Sequence, residues 1–84
     1  MKNSNMLPQY RVILKNDEVN SIDKVLSALM ILCNLEPDEA IKTTMDIHHF
    51  GHGIVKTTHF ELAETLMTKL NKIGLSAYIE KDLI

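Results

Sequence analysis

Between Leu14 and Ser21 the chain crowds Lys15, Asn16, Asp17, Glu18 and Asn20 into one short connection. Carboxylates and side-chain amides supply several hydrogen-bond acceptors, and an ammonium group carries three donors and no acceptor. Such a cluster could hold a positively charged group. It could equally be a turn, since Asn and Asp favour turns and Asn20 or Ser21 suits the N-cap of a following helix. Composition alone favours the turn and cap, because polar clusters of this kind ordinarily serve the local backbone.

The second chemically capable stretch is "DIHHFGHG", with His48, His49 and His52, followed by His59. Histidine is the commonest metal ligand. The spacing argues against a metal, because His48 and His49 would project about 100° apart on a helix. Gly51 interrupts the helix between His48 and His52, and no HExxH or Cys/His pairing is present. A partly buried histidine with exposed neighbours at a helix end is the preferred account, so no metal or other cofactor is expected. Cys33 is the lone cysteine, which excludes an internal disulfide and a cysteine-based zinc site. It lies in an apolar run, there is no Gly-x-Ser-x-Gly elbow, and the three glycines are too scattered to cradle phosphate. Nothing here points to an enzyme.

The elements that must position these residues follow from periodicity. Tyr10 to Leu14 ("YRVIL") reads as a strand. From Ile22, the residues Val25, Leu26, Leu29, Leu32 and Cys33 recur at helical spacing, and this helix should stop near Asn34. Its apolar arc is wide enough to line a groove for a partner side chain, although core is the default. Pro37, Asp38 and Glu39 open a second helix, whose inner face is expected to be Ala40, Ile41 and Met45 with Ile47 or His48. Ile54 to Thr57 reads as a short strand. Thr58 and Glu61 have capping-box spacing for a third helix carrying Leu62, Ala63, Leu66, Met67, Leu70 and Ile73, with Gly74 after its end. Leu75, Ala77 and Ile79 then alternate with Ser76, Tyr78 and Glu80 as a half-buried strand. The order β-α-α-β-α-β predicts an α+β fold, a two-layer sandwich with helices over one sheet face.

A chain of 84 residues suits one small domain. Residues 1–8 read as a short disordered arm and 9–84 as the domain. Net charge is −2, so no basic field draws nucleic acid. No stretch is long and apolar enough to span a membrane, and the first residues lack the apolar run of a signal peptide. A cytoplasmic protein is expected, and composition by itself stops at a binding module.

Three motifs in register carry the reading further. "YRVILKNDE", "IHHFGHGIV" and "ELAET" occur in the order and at the separations found in the ClpS family of Clp protease adaptors, which the chain resembles from Tyr10 to about Asp82. The resemblance implies a three-stranded antiparallel sheet covered by helices. It also implies a non-enzymatic adaptor that binds proteins by a destabilising N-terminal residue and delivers them to a Clp AAA+ ATPase of the ClpA or ClpC kind. Carried over by position, Asn16, Asp17, Glu18 and His48 would bind the α-amino group. Ile22, Val25, Ile47 and Leu75 would surround the first side chain, and Glu61 and Leu66 fall on the surface implicated in ATPase docking. Glu18 stands where the family usually has Asp, Ile22 and Thr44 where it often has Met, and Leu66 where it has Lys. Two other readings remain: a ClpS-like domain that docks on a partner without reading N-termini, and a small metal-binding protein using His48, His49 and His52.

Overall fold

Val12, Ile13 and Leu14 form an uninterrupted apolar run, which suits a strand buried on both faces better than an edge strand. In the computed structural model, which describes residues 8–82, this run lies in β1 (Tyr10–Lys15), the centre of a three-stranded sheet. β1 pairs antiparallel with β2 (His52–Thr58) on one side and β3 (Ser76–Lys81) on the other, giving the order β2-β1-β3. Val12 and Leu14 face the core, whereas Ile13 faces outward beneath its cross-strand neighbours Ile54 and Tyr78. The arm expected at residues 1–8 lies, except for Pro8, outside the described residues.

β2 begins two residues before the expected Ile54, because His52 and Gly53 pair with Lys15 and Leu14. A β-bulge interrupts its register: Ile54 opposes Ile13, but Lys56, not Val55, opposes Val12. One extra residue reverses the in-out phase of the strand beyond it. Lys56 therefore lies on the helix-covered face, where simple alternation would have turned it outward.

Helices α1 (Ile22–Ile31), α2 (Pro37–Phe50) and α3 (Phe60–Lys72) complete the expected order. Ser21 caps α1, its hydroxyl accepting from the Lys24 backbone N–H at 3.1 Å. The helix ends slightly early, and Asn34 takes a left-handed conformation with φ 58°. α2 buries Ala40, Thr44 and Ile47, while Ile41 and Met45 are exposed, which corrects the expected inner face. The 40-44-47 spacing forms one stripe, and Ile41 and Met45 each lie about 100° around the helix from a member of it. α3 begins one residue later than expected. Thr58 stays in β2, paired with Tyr10, so the expected Thr58/Glu61 box gives way to His59 as N-cap, whose Nδ1 accepts from the Leu62 N–H.

Ala63, Leu66 and Leu70 of α3 close over Val12, Leu14 and Leu29. After α3, Gly74 takes φ 92° and Leu75 enters the core with its N–H donating to the Leu70 carbonyl at 3.1 Å. The Asn71 side chain reaches forward to β3: its Nδ2 donates to the Ala77 carbonyl at 3.0 Å, and its Oδ1 accepts from the Ala77 N–H at 2.8 Å.

Candidate functional site

The loop after β1 is ordered by its own side chains. The Asn16 backbone N–H donates to the Gly51 carbonyl at 2.9 Å, which ties the loop to the end of α2. Asp17 turns back on the residues that follow. Its Oδ1 accepts from the backbone N–H groups of Val19 (2.9 Å) and Asn20 (2.7 Å), and its Oδ2 accepts from Asn20 Nδ2 (2.8 Å). Asn20 Nδ2 also donates to the Gly74 carbonyl at 3.0 Å. With both amide hydrogens engaged, the orientation of Asn20 is fixed and its Oδ1 is the amide's remaining acceptor.

These donors have an electrostatic consequence. The Asn20 backbone N–H, and next its side-chain amide, hold the Asp17 carboxyl below its ordinary pKa of 3.8. A carboxyl with a depressed folded pKa adds stability above its unfolded pKa and loses it as pH falls through the folded value. The loop is therefore expected to stay intact down to about pH 4 and to loosen only below. The pH dependence of the Asn20 amide resonance measures this; a midpoint above 3.8 would contradict the arrangement.

A small cavity forms where the loop, α1 and α2 meet. Asn16 and Asn20 come from the loop and Ile22 and Val25 from α1. Thr44, Ile47 and His48 come from α2. The volume is about 10 Å³, close to the room one water needs. His48 sits in the last turn of α2, which Gly51 ends in a left-handed conformation at φ 88°. The C-terminal end of a helix carries partial negative charge and favours a cation. The Asn16 amide and the His48 ring have no hydrogen-bond partner among the described side-chain contacts, so their acceptor atoms are available. The Thr44 hydroxyl, also in the wall, is buried without a partner.

Five of the residues expected at the site are thus brought together: Asn16, His48, Ile22, Val25 and Ile47. Three are placed elsewhere, and one residue expected on the docking surface is buried. Asp17 braces Asn20 and does not line the cavity. Glu18 is exposed and also outside the lining. Leu75 is 5% exposed within the hydrophobic core and lies outside the cavity lining. Leu66, expected on a docking surface, is a core residue at 4% exposure, whereas Glu61 is exposed at the start of α3. Asn20 is the lining residue missed by sequence reasoning. Its signal was the presence of two cap candidates in succession: once Ser21 caps α1, Asn20 is released for another task. Among the described residues, no three His, Cys, Asp or Glu side chains come together as metal ligands, and no helix is long and apolar enough to cross a membrane.

The sequence profile of "ATP-dependent Clp protease adaptor protein ClpS" matches residues 5–77. Among relatives, the chain is 37% identical over 79 residues to the ATP-dependent Clp protease adapter protein ClpS of Prochlorococcus marinus (strain MIT 9515), covering 93% of this chain and 75% of that protein. It is 38% identical over 76 residues to the ClpS adapter of Synechococcus elongatus, covering 89% and 80% respectively. In fold it is similar to Agrobacterium tumefaciens ClpS2, solved bound to L-phenylalaninamide, with a TM-score of 0.78 at 23% identity over 89% of this chain and 98% of that one. The element order and the extent of these matches agree: the chain belongs to the ClpS family, adaptors of the ATP-dependent Clp protease and not enzymes.

Proposed function

We propose that this chain captures proteins by a free N-terminal residue, an N-degron, and presents them to a Clp AAA+ ATPase of the ClpA or ClpC kind in the cytoplasm. The observation that carries the proposal is the meeting of Asn16, Asn20 and His48 at the C-terminal end of α2, beside the apolar side chains of Ile22, Val25 and Ile47. A free α-amino group has a pKa near 8 and is largely protonated at neutral pH. Its three donors match the two amide oxygens and one imidazole nitrogen, and bonds to a charged donor are the stronger kind. The first side chain then lies against the apolar wall. L-phenylalaninamide, bound by the Agrobacterium tumefaciens relative, has this combination of free amine and large apolar side chain. Because the unbound cavity holds little more than a water, a large side chain enters by displacing the rim, where Ile22 is 45% exposed and free to give way. Exposed Glu61 on α3 supplies the docking side.

The test is a pair of labelled peptides beginning with Leu or Phe, each with its N-acetylated twin. Acetylation removes the charge and donors and leaves the acceptors unpaired, at about 1–3 kcal/mol per group. Binding of the free peptides with at least a tenfold loss on acetylation is expected, one tenfold step being about 1.4 kcal/mol. Equal or absent binding of both twins would sink this reading. Absent binding with the ATPase still captured would favour a ClpS-like domain that docks without reading N-termini, a version the small cavity and the polar Thr44 would suit.

A further inference from the structure

The largest cavity among those described is not at the N-terminal-residue site. It lies where the end of α1 meets β2 and α3, with a volume of about 290 Å³. Leu32, Cys33, Leu62 and Leu66 give it an apolar lining, and Lys56 and Lys69 add two ammonium groups. Lys56 is there because of the bulge in β2. The shifted register places it opposite Val12 on the helix-covered face, and re-aiming a side chain is a recurrent use of bulges beside binding sites. Lys69 arrives from α3, one turn from Leu66. Among the described residues neither ammonium has a carboxylate within ion-pair distance, a state they share with every described lysine but Lys42, so both charges are open to an anion.

We propose that this cavity binds a carboxylate carried on a short apolar body, the head group held by Lys56 and Lys69 and the body lying along the half-buried Leu32 and Leu62. An uncharged apolar ligand would leave both ammonium groups unanswered, and a fully polar anion would leave the leucines wet. Both lysines act on the same spot: each lowers the pKa of the Cys33 thiol, which burial nevertheless pushes up to about 11. Asn34, in its left-handed conformation beside Cys33, adds an amide to the wall. The ligand chemistry could come from a free alkanoate or from the carboxy-terminal residue of a peptide. The proposal goes beyond the N-degron reading and stands without it.

The experiment titrates the full chain with hexanoate and with N-acetyl-leucine, following the backbone amide resonances of Cys33, Asn34, Lys56 and Leu66. Neither probe has a free amine, so failure at the degron site does not affect the result. 1-Hexanol and N-acetyl-leucinamide are the uncharged counterparts. Saturable shifts are expected with at least one carboxylate, and binding about tenfold weaker or more for its uncharged counterpart. The tighter of the two carboxylates identifies the source. Lys56→Gln and Lys69→Gln should each weaken binding about threefold or more, whereas Lys42→Gln should leave it unchanged. No shifts with either carboxylate, equal binding of the uncharged counterparts, or unchanged affinity in both glutamine variants would each overturn the proposal.

Discussion

Asn16→Ala is expected to weaken binding of a peptide with a free N-terminal Leu by about ten- to a hundredfold, the value of a hydrogen bond to a charged group at roughly 1.5–3 kcal/mol. The acetylated peptide should be unaffected. Asn16 is a clean probe because its two functions use different atoms. Its backbone N–H, which alanine retains, holds the loop to Gly51; only the side-chain amide would be lost from the cavity wall. Stability should therefore change by no more than about 0.5 kcal/mol, as for an exposed substitution that breaks no contact. Asp17→Asn is the informative companion. Asparagine keeps one carbonyl oxygen but loses the second acceptor, which loosens the grip on Asn20. Its effect on affinity should be smaller than that of Asn16→Ala and should be accompanied by altered Asn20 resonances. Unchanged affinity in Asn16→Ala would show that the ammonium, if bound, lies elsewhere.

The second large effect is expected at Gly53. A Cβ there would sit 2.9 Å from Ile47 Cγ1, 3.3 Å from the Thr43 carbonyl oxygen and 3.5 Å from the Ile47 nitrogen. The 3.5 Å contact is ordinary, but Ile47 is packed in the core and cannot swing freely, and the Thr43 carbonyl is helix backbone that must give by a few tenths of an ångström. Gly53→Ala should cost about 1–3 kcal/mol, the usual range for overpacking a filled site, read as a lowered urea midpoint at unchanged slope. Because Ile47 is also a cavity wall, affinity for the peptide should fall more than the lost stability explains. Gly51→Ala makes a useful contrast. A Cβ at Gly51 would meet nothing within 4 Å, but the residue has φ 88°. There the cost is purely one of backbone conformation, and Gly51→Asn should recover part of it since Asn tolerates the left-handed region. Asn at Gly53 should recover nothing. A wild-type midpoint in Gly53→Ala would mean that α2 has slack the packing does not suggest.

Most of the fold was legible because each element has a strong local signature. The Val12-Ile13-Leu14 run, Pro37 at the start of α2 and Gly74 after α3 each express a backbone preference that tertiary contacts do not override. The misplacements share a physical origin in choices that depend on a neighbour. Thr44 lies inward while Ile41 and Met45 stay outside because the stripe that meets the core runs through Ala40, Thr44 and Ile47, a choice of face made by the sheet and α1. Thr58 could not cap α3 because Tyr10 had claimed it for the sheet. At the site, the residue types were readable but their division of labour was not. Asp17 and Asn20 are both polar loop residues, and only the positions of the Val19 N–H and the Gly74 carbonyl decide which one braces and which one lines the cavity. Leu66 and Leu75 were carried to surface and pocket by position, yet each apolar side chain follows the hydrophobic effect into the core. Lys56 shows the limit most sharply, since one unpaired residue in β2 reverses its direction and no pattern in "HGIVKTT" announces it.

The reach of Asn71 to Ala77 has a consequence for life in crowded company. A strand at the margin of a sheet offers its free N–H and C=O groups to any extended chain that drifts past. On β3 one amide side chain has already taken both groups of Ala77, so a passing strand would have to dislodge Asn71 before it could zip on. That edge of the domain is thereby partly insulated from strand addition by a neighbouring chain.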